Sequence, residues 1–384
     1  MDIRAFKGLN NATDPLRVGL GWLTSANNIN VTDTGGIAVR DGYSRVSSAP
    51  VSAAYSTLDF QRMYLVSSGA LKTFDGATLR SGLSVGEMYW AEVNGQVYFN
   101  NGTDAGVIEP DNRLMDLRWP VPAEPTVTAI TGNSAPGTYT VCLTTMLPDG
   151  RETGTGEHVT FSLVEGQGVQ LSGIQPPAGC VTNVYLAPAN SGVFQLAVST
   201  AANAFTLATT NPDFLGRELQ TAFMDPLPTD TSVIQFWKAR LYAAQHMPAQ
   251  DQTVIWFSEA LGYHLFNLNS NYFIVPGKVL MLAPHDDGLI IGTDRRIYLY
   301  SGDKLVELAD YGVVPGQHWA NDDKRIIFWS LRGVCAALPF TNLTERQVSV
   351  APGVQAGGTI VRTDGQKRYV VALHQGGAAF NKFN

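Results

Sequence analysis

Charge is what this sequence has least of. Only 15% of its 384 residues are Asp, Glu, Lys or Arg, against about a quarter in an average soluble domain. That scarcity excludes a disordered acidic tail and a coiled coil, both of which are rich in charge. The 26 Lys and Arg stand against 33 Asp and Glu for a net charge of −7, and they are scattered. The densest local sets are short, Asp294-Arg295-Arg296 and Lys367-Arg368, and no phosphate-gripping stripe is formed. Cysteine is scarce as well. Cys142, Cys180 and Cys335 form no CxxC and no Cys/His set at zinc spacing, and their odd number argues against a disulfide framework. They read as buried thiols. Long apolar runs are missing, with nothing near the roughly 18–20 residues of a membrane span. The opening Met1–Lys7 has an acid at position 2 and no apolar segment of a signal peptide. Synthesis and folding in a cytoplasm are expected, which makes the sequons at Asn11, Asn30, Asn101 and Asn342 chance matches.

What is present is turn and strand chemistry. The chain carries 38 Gly, 20 Pro, 7 Trp, 14 Tyr and 17 Phe, with a mean hydropathy of −0.01. Turn signals recur at Gly35-Gly36, Asp75-Gly76, Asn94-Gly95, Asn101-Gly102, Asp149-Gly150, Asp287-Gly288, Ser301-Gly302 and Asp364-Gly365. Such pairs supply the positive φ that tight hairpins need. Between them lie short β-branched and aromatic runs such as Met63–Val66, Val97–Phe99, Val254–Phe257, Ile297–Tyr300 and Arg325–Trp329. No long amphipathic helix is evident, so the predicted fold is all-β.

Two Pro-rich stretches, Trp119–Pro125 and Asp225–Pro228, act as linkers because proline disfavours both ladder and helix. They divide the chain into 1–120, 121–228 and 229–384. The middle part is rich in Thr, Val, Ala and Gly, with about seven short strands predicted from Gly137–Leu143 to Ala204–Leu207. That spacing predicts an inserted immunoglobulin- or fibronectin-like β-sandwich. The flanking parts repeat another unit, strand–turn–strand, at 61–75, 87–101, 286–301 and 323–337. Repeated antiparallel units of this size predict a β-propeller, and at roughly 40–45 residues per blade the flanks make about six blades. The hairpin pattern at 29–45 and the last strand near 366–374 are expected to meet in one mixed blade that closes the ring.

Chemical motifs are few. The histidines are His158, His246, His264, His285, His318 and His374, and none stands in HExxH or a paired i, i+4 setting. His285-Asp286-Asp287-Gly288 is the nearest thing to a metal cluster, but consecutive residues in a turn converge poorly on one ion, and it reads as a blade connector. No Gly-x-Ser-x-Gly elbow, phosphate loop or sialidase-type Asp box is present. Acid pairs such as Asp286-Asp287 and Asp322-Asp323 sit at strand entrances, where solvated carboxylates are ordinary, although a glycosidase pair drawn from different blades stays open. The aromatic pairs Tyr89-Trp90, Phe236-Trp237, Trp256-Phe257 and Phe328-Trp329 read first as inter-blade core and second as a carbohydrate platform. No catalytic residue, metal ligand or cofactor-binding residue is nominated, and no cofactor is expected.

Three segments in order carry a resemblance. The first runs from Phe6-Lys7-Gly8-Leu9-Asn10-Asn11-Ala12-Thr13-Asp14-Pro15 through Ala26–Asn30 to Gly35-Gly36-Ile37-Ala38-Val39-Arg40-Asp41-Gly42-Tyr43. The second is Lys238–Ala244 followed by Val254-Ile255-Trp256-Phe257-Ser258-Glu259, and the third is Gly292-Thr293-Asp294-Arg295-Arg296-Ile297-Tyr298. Together with the insert, marked by Gly137-Thr138-Tyr139 and Asp149–Glu152, the set resembles virion structural proteins of tailed bacteriophages. These are the nozzle- or hub-like propellers of short-tailed phages. The resemblance implies a non-enzymatic tail or head-tail connector component in a homohexameric ring around the DNA ejection channel. Portal, adaptor and other tail proteins would be its neighbours, and DNA would pass without sequence-specific binding. The expected location is the virion tail, assembled in the host cytoplasm. Alternative readings are a host-surface carbohydrate-binding tail protein and a propeller glycan hydrolase. The arm at about 1–22, with Phe6, Leu9, Leu16, Leu20 and Trp22, is expected to pack on a neighbouring subunit or close the propeller.

Overall fold

The structure is a computed structural model that describes residues 5–32, 34–40, 42, 44–45, 49–209, 215–323, 325–363 and 366–376. The Asp364-Gly365 turn, and Asp33, Asp41 and Tyr43 of the N-terminal motif, lie outside the described residues. Strands β1 (Gly8–Leu9) and β2 (Trp22–Leu23) pair in parallel, and β3 (Ile29–Val31) and β4 (Ile37–Val39) form a hairpin. The first blade is β5 (Ala53–Ser56), β6 (Met63–Ser67), β7 (Ala70–Thr73) and β8 (Thr78–Arg80). The second is β9 (Tyr89–Val93), β10 (Gln96–Asn100), β11 (Ala105–Ile108) and β12 (Leu114–Asp116). The insert follows, with β13 (Thr126–Thr131), β14 (Gly137–Met146), β15 (Val159–Leu163), β16 (Gln167–Ser172), β17 (Val181–Ala187), β18 (Gln195–Thr200) and β19 (Ala204–Leu207).

The third blade is β20 (Thr231–Trp237), β21 (Arg240–Met247), β22 (Gln252–Phe257) and β23 (Tyr272–Pro276). The fourth is β24 (Val279–His285), β25 (Gly288–Thr293), β26 (Ile297–Tyr300) and β27 (Leu305–Ala309). The fifth is β28 (Trp319–Asn321), β29 (Ile326–Ser330), β30 (Gly333–Ala337) and β31 (Thr341–Asn342). The hairpin β32 (Gln355–Thr363) and β33 (Gln366–His374) ends the described chain. Each of the five complete blades is an antiparallel meander whose neighbours in sequence are neighbours in the sheet. Among the described residues the architecture is an all-β propeller of five four-stranded blades and one two-stranded hairpin in the sixth position.

Local chemistry explains the hairpins. At Asn94-Gly95 both residues have positive φ, 51° and 76°, the geometry of a two-residue turn whose twist matches its strands. Alternation then sorts the side chains, since successive residues of a strand face opposite sides. Trp90 turns towards the first blade, where it packs with Tyr64, Leu71, Phe99 and Ile108. Its neighbours Tyr89 and Ala91 turn towards the third, among Ile234, Leu241 and Phe266. The fourth and fifth blades share Met281, Ile290, Ile326 and Phe328. The pairs Tyr89-Trp90 and Phe328-Trp329 thus divide between different core clusters, while Phe236-Trp237 and Trp256-Phe257 each lie in or against one.

The insert is a two-sheet sandwich with one apolar core, including Tyr139, Val141, Leu171, Val184 and Leu186. Its sheets run β13-β16-β19 and β15-β14-β17-β18. The immunoglobulin letters ABED over CFG therefore do not carry over one for one in chain order. Backbone contact joins it to the propeller. Asp225 and Phe266 exchange both amide bonds, at 2.8 and 2.9 Å, and His264 Nε2 lies 3.0 Å from the Glu152 carbonyl. Within the insert, Gly154 sits so close to Met224, next to that junction, that a Cβ would fall 1.6 Å from its carbonyl oxygen.

The expected mixed blade is not formed. Among the described residues β33 pairs with β32 alone, and β3 and β4 pair with each other. The arm's backbone is committed elsewhere, because the Phe6, Lys7 and Asn10 amides donate to the carbonyls of Gly35, Gly21 and Leu23. The two chain ends do touch, through a different contact. Asn11 donates from Nδ2 to the Ser349 carbonyl and accepts the Ser349 amide, and its own amide reaches the Gln347 carbonyl.

Candidate functional site

The propeller axis is the natural place to look for a passage or a pocket. Here β9, β20 and β24 converge with Gly316, Gln317 and the start of β28. Tyr89, Trp90, Val233, Leu280, Met281 and Trp319 help to line a void of only about 10 Å³. Gln317 Oε1 accepts the Trp90 amide across it at 3.1 Å. At this point β9, β20 and β24 are packed together by their own side chains.

At the rim, Gln355 donates to Glu87 Oε2 and links the sixth position to the loop before the second blade. Burial pushes the Glu87 carboxyl up to about 7, only partly opposed by the Gln355 amide. The folded value lies above the unfolded one, so the protonated acid is the form the fold favours. Its contribution is complete below about pH 4.5 and is lost as pH rises through about 7. Glu87→Gln should therefore stabilise the chain by about 1–2 kcal/mol at pH 8, discounting for partial exposure. The gain should disappear at pH 4, as urea unfolding midpoints at the two pH values would show.

The histidines are dispersed. His158 packs between Phe194 and Phe223, and His264 bonds to the Glu152 carbonyl. His318 is fully buried at the fifth blade. His285 Nδ1 accepts the Asp287 amide at 3.2 Å within one turn. Among the described residues no three His, Cys, Asp or Glu side chains converge as metal ligands. The acids Asp322 and Asp323 are paired with Lys367, and Asp323 also with Arg362. They lace the fifth blade to the last hairpin. All three cysteines are free and buried, and burial, aided by the Glu152 charge, pushes the Cys142 thiol up to about 12.

The motif residues of the third and fourth blades do come together, and each set closes a turn. Ser258 Oγ accepts the Leu241 amide at 3.0 Å, and Arg240 donates to the Ser258 carbonyl at 2.7 Å. In the other, Thr293 Oγ1 takes the amides of Arg295 and Arg296, while Asp294 Oδ1 takes that of Lys278 at 3.0 Å. Aromatic side chains of the four pairs are buried or half-buried. Trp90, Trp237, Phe328 and Trp329 are 6% exposed or less, which makes them core rather than a sugar platform.

Two features carried no sequence signal. One is the buried Glu152 cluster of the insert. The other is an open groove of about 500 Å³ between the fourth and fifth blades, with Glu307, Asp310, Tyr311, Asn342 and Glu345 on its walls. Arg332 lies 4.6 Å above the Tyr311 ring and pairs with Asp310 and Glu345, so its acids already have a counter-ion.

No family model and no curated protein matches the chain. Among solved structures it is similar to the C-terminal WD40 domain of Sif2, at 11% identity over 90% of this chain and 88% of that one, with a TM-score of 0.36. It is similar to AztD of Citrobacter koseri at 10% identity over 88% and 91% of the two chains, with a TM-score of 0.28. A third likeness is to the extracellular domain of a hybrid two component system of B. thetaiotaomicron, at 10% identity over 82% of this chain and a TM-score of 0.32. This chain spans only 36% of that one's length. These likenesses concern the fold, and scores of this size carry no argument about activity or partners.

Proposed function

We propose that the chain is a non-enzymatic structural component of a tailed-phage virion, a nozzle or connector part that assembles with copies of itself around the path of ejected DNA. The observation that carries the reading is the order of motifs along the sequence, from Gly8-Leu9-Asn10-Asn11 through Arg240-Leu241-Tyr242 to Gly292-Thr293-Asp294. Two physical features support it. A surface drawn from a chain with 15% charged residues suits a part covered by neighbours better than a free monomer. The net charge of −7 would, in a ring of copies, keep the phosphate backbone of passing DNA from adhering. Portal, adaptor and other tail proteins would be the neighbours, in the virion tail, with assembly in the host cytoplasm. Native mass spectrometry of the purified chain, with electron microscopy of virions, tests the reading. Six copies in a ring are expected. A chain that stays monomeric at high concentration and is absent from virions would overturn it.

A further inference from the structure

We propose that the last hairpin, β32–β33, is completed by the hairpin β3–β4 of a second copy of this chain, which supplies the two missing strands of the sixth blade. Among the described residues five blades have four strands and the sixth has two. Its outer strand, β33, is nine residues long and pairs only with β32 among the described residues. A long unpaired edge is a template for another strand unless something covers it.

One face of β32–β33 is already used. Ala356, Val371 and Leu373 pack on Trp329 of the fifth blade and on Val314 just before it, and at the other edge of β32 the Ala356 and Gly358 amides donate to the Pro315 and Gln317 carbonyls. Gly316 permits that approach, since a Cβ there would fall 2.0 Å from the Ala356 carbonyl oxygen. The alternate residues face away. Gly357, Thr359 and Ala372 are exposed there, as are Val361 and Val370 at 42% and 46%. In the first blade, which stands at the other end of the ring, Ala54 and Met63 are exposed on the side away from the second blade. Both faces thus present apolar residues that no described strand covers.

The same chain carries a piece of matching size. In β3–β4, Ile29 stands opposite Val39 and Val31 opposite Ile37, so four aliphatic side chains share one face of a two-stranded unit. Ile37 is 42% and Val39 72% exposed. That face and the hairpin's edges have no sheet partner among the described residues. Within one chain the hairpin is tied to the arm by the Phe6 amide at Gly35, and Asn11 fastens the arm at Gln347 and Ser349. The two hairpins stay apart there despite the high effective concentration of an intramolecular contact. In a neighbouring copy the same bonds tie the hairpin to its own arm, and they place no restraint on its approach to this chain's β33. Donation from each copy to the next is a head-to-tail contact, and such contacts close into rings when the rotation per copy divides a full turn. The inference deepens the ring reading above and rests on it only for the number of copies.

Because the native cysteines are buried, introduced thiols would be the reactive ones. Val39→Cys and Val370→Cys chains, mixed in equal amounts and treated with a short bismaleimide, should give a two-chain product several-fold above either variant alone. Deleting residues 24–40 should abolish the oligomer by native mass spectrometry while the far-ultraviolet spectrum of the sheets persists. If the doubly substituted chain links only within itself, the sixth blade closes in one copy and the proposal fails. An oligomer that survives the deletion, with no cross-link, overturns the hairpin exchange and leaves the ring reading standing. A wild-type chain that is monomeric throughout overturns the exchange, and one that is also absent from virions overturns the ring reading with it.

Discussion

Replacing Glu152 by Ala is expected to destabilise the insert by about 3–5 kcal/mol, the cost of removing one partner from a buried ionic cluster. The residue is only 8% exposed, and four side chains converge on its carboxylate. Thr144 Oγ1, Asn183 Nδ2 and the Tyr185 hydroxyl donate to Oε1 at 2.5, 2.7 and 2.9 Å. Arg217 donates to Oε2 at 2.6 Å. Burial by itself would raise the carboxyl's pKa, but the bonds from Thr144, Asn183, Arg217 and Tyr185 outweigh it and hold the group below its ordinary value. The acid therefore stays ionised, and each bond is charge-assisted. Alanine would leave Thr144, Asn183 and Tyr185, each 1% exposed or less, with orphaned donors in a dry core. Arg217 is half-exposed and would turn to water. Glu152→Gln keeps an acceptor at Oε1 but sets an amide against Arg217, so a smaller loss of about 1–3 kcal/mol is expected. Scanning calorimetry should show an early transition from the sandwich ahead of the propeller. Unchanged unfolding in Glu152→Ala would show that the cluster does not hold the sandwich together.

That cluster also marks the boundary of what was legible in the sequence. Turns were readable one at a time, because Asn94-Gly95 and its counterparts state their backbone geometry locally. Strands were readable because Val97–Phe99 or Ile326–Trp329 can hardly be anything else, and repetition of the unit named the propeller. Pairing across the sequence was not readable. Glu152 draws on residues 144, 183, 185 and 217, and Gln355 reaches back to Glu87. Periodicity says which face a residue occupies and leaves open which strand lies opposite it. The same gap explains the mixed blade. The patterns at 29–45 and 366–374 both read as unpaired edges, and two edges invite pairing. The bonds of Phe6, Lys7, Asn10 and Asn11 that hold the arm away from β33 have no signature in the sequence.

Acid should open the seam between the fifth blade and the last hairpin, through His318. The ring is fully buried, with Nε2 2.9 Å from the Val314 carbonyl and Nδ1 accepting the Trp329 amide at 3.3 Å. Both nitrogens are satisfied by one neutral tautomer, with the proton on Nε2. A second proton on Nδ1 would face the Trp329 N–H, donor against donor. Burial pushes the imidazole down to about 4, despite the opposing bond to Val314. The folded value lies below the ordinary 6.5, so the unfolded chain binds the proton first. The contribution is complete above about pH 6.5, and it declines by about 3 kcal/mol as pH falls to 4. The local consequence follows from position, since the Tyr369 hydroxyl donates to the His318 carbonyl and Trp329 Nε1 donates to the Pro352 carbonyl at 2.9 Å. Urea unfolding of wild type and His318→Gln from pH 7 to 4 checks this. The variant should be less stable at pH 7 yet lack most of the wild-type decline. Parallel curves would assign the acid sensitivity to other groups. Amide exchange at β33 should accelerate in wild type below pH 5.5, relative to the first four blades, after correction for intrinsic rates. The hairpin whose outer edge has no strand partner among the described residues is thus also the one whose attachment titrates, because its seam is fastened through a histidine that must stay neutral.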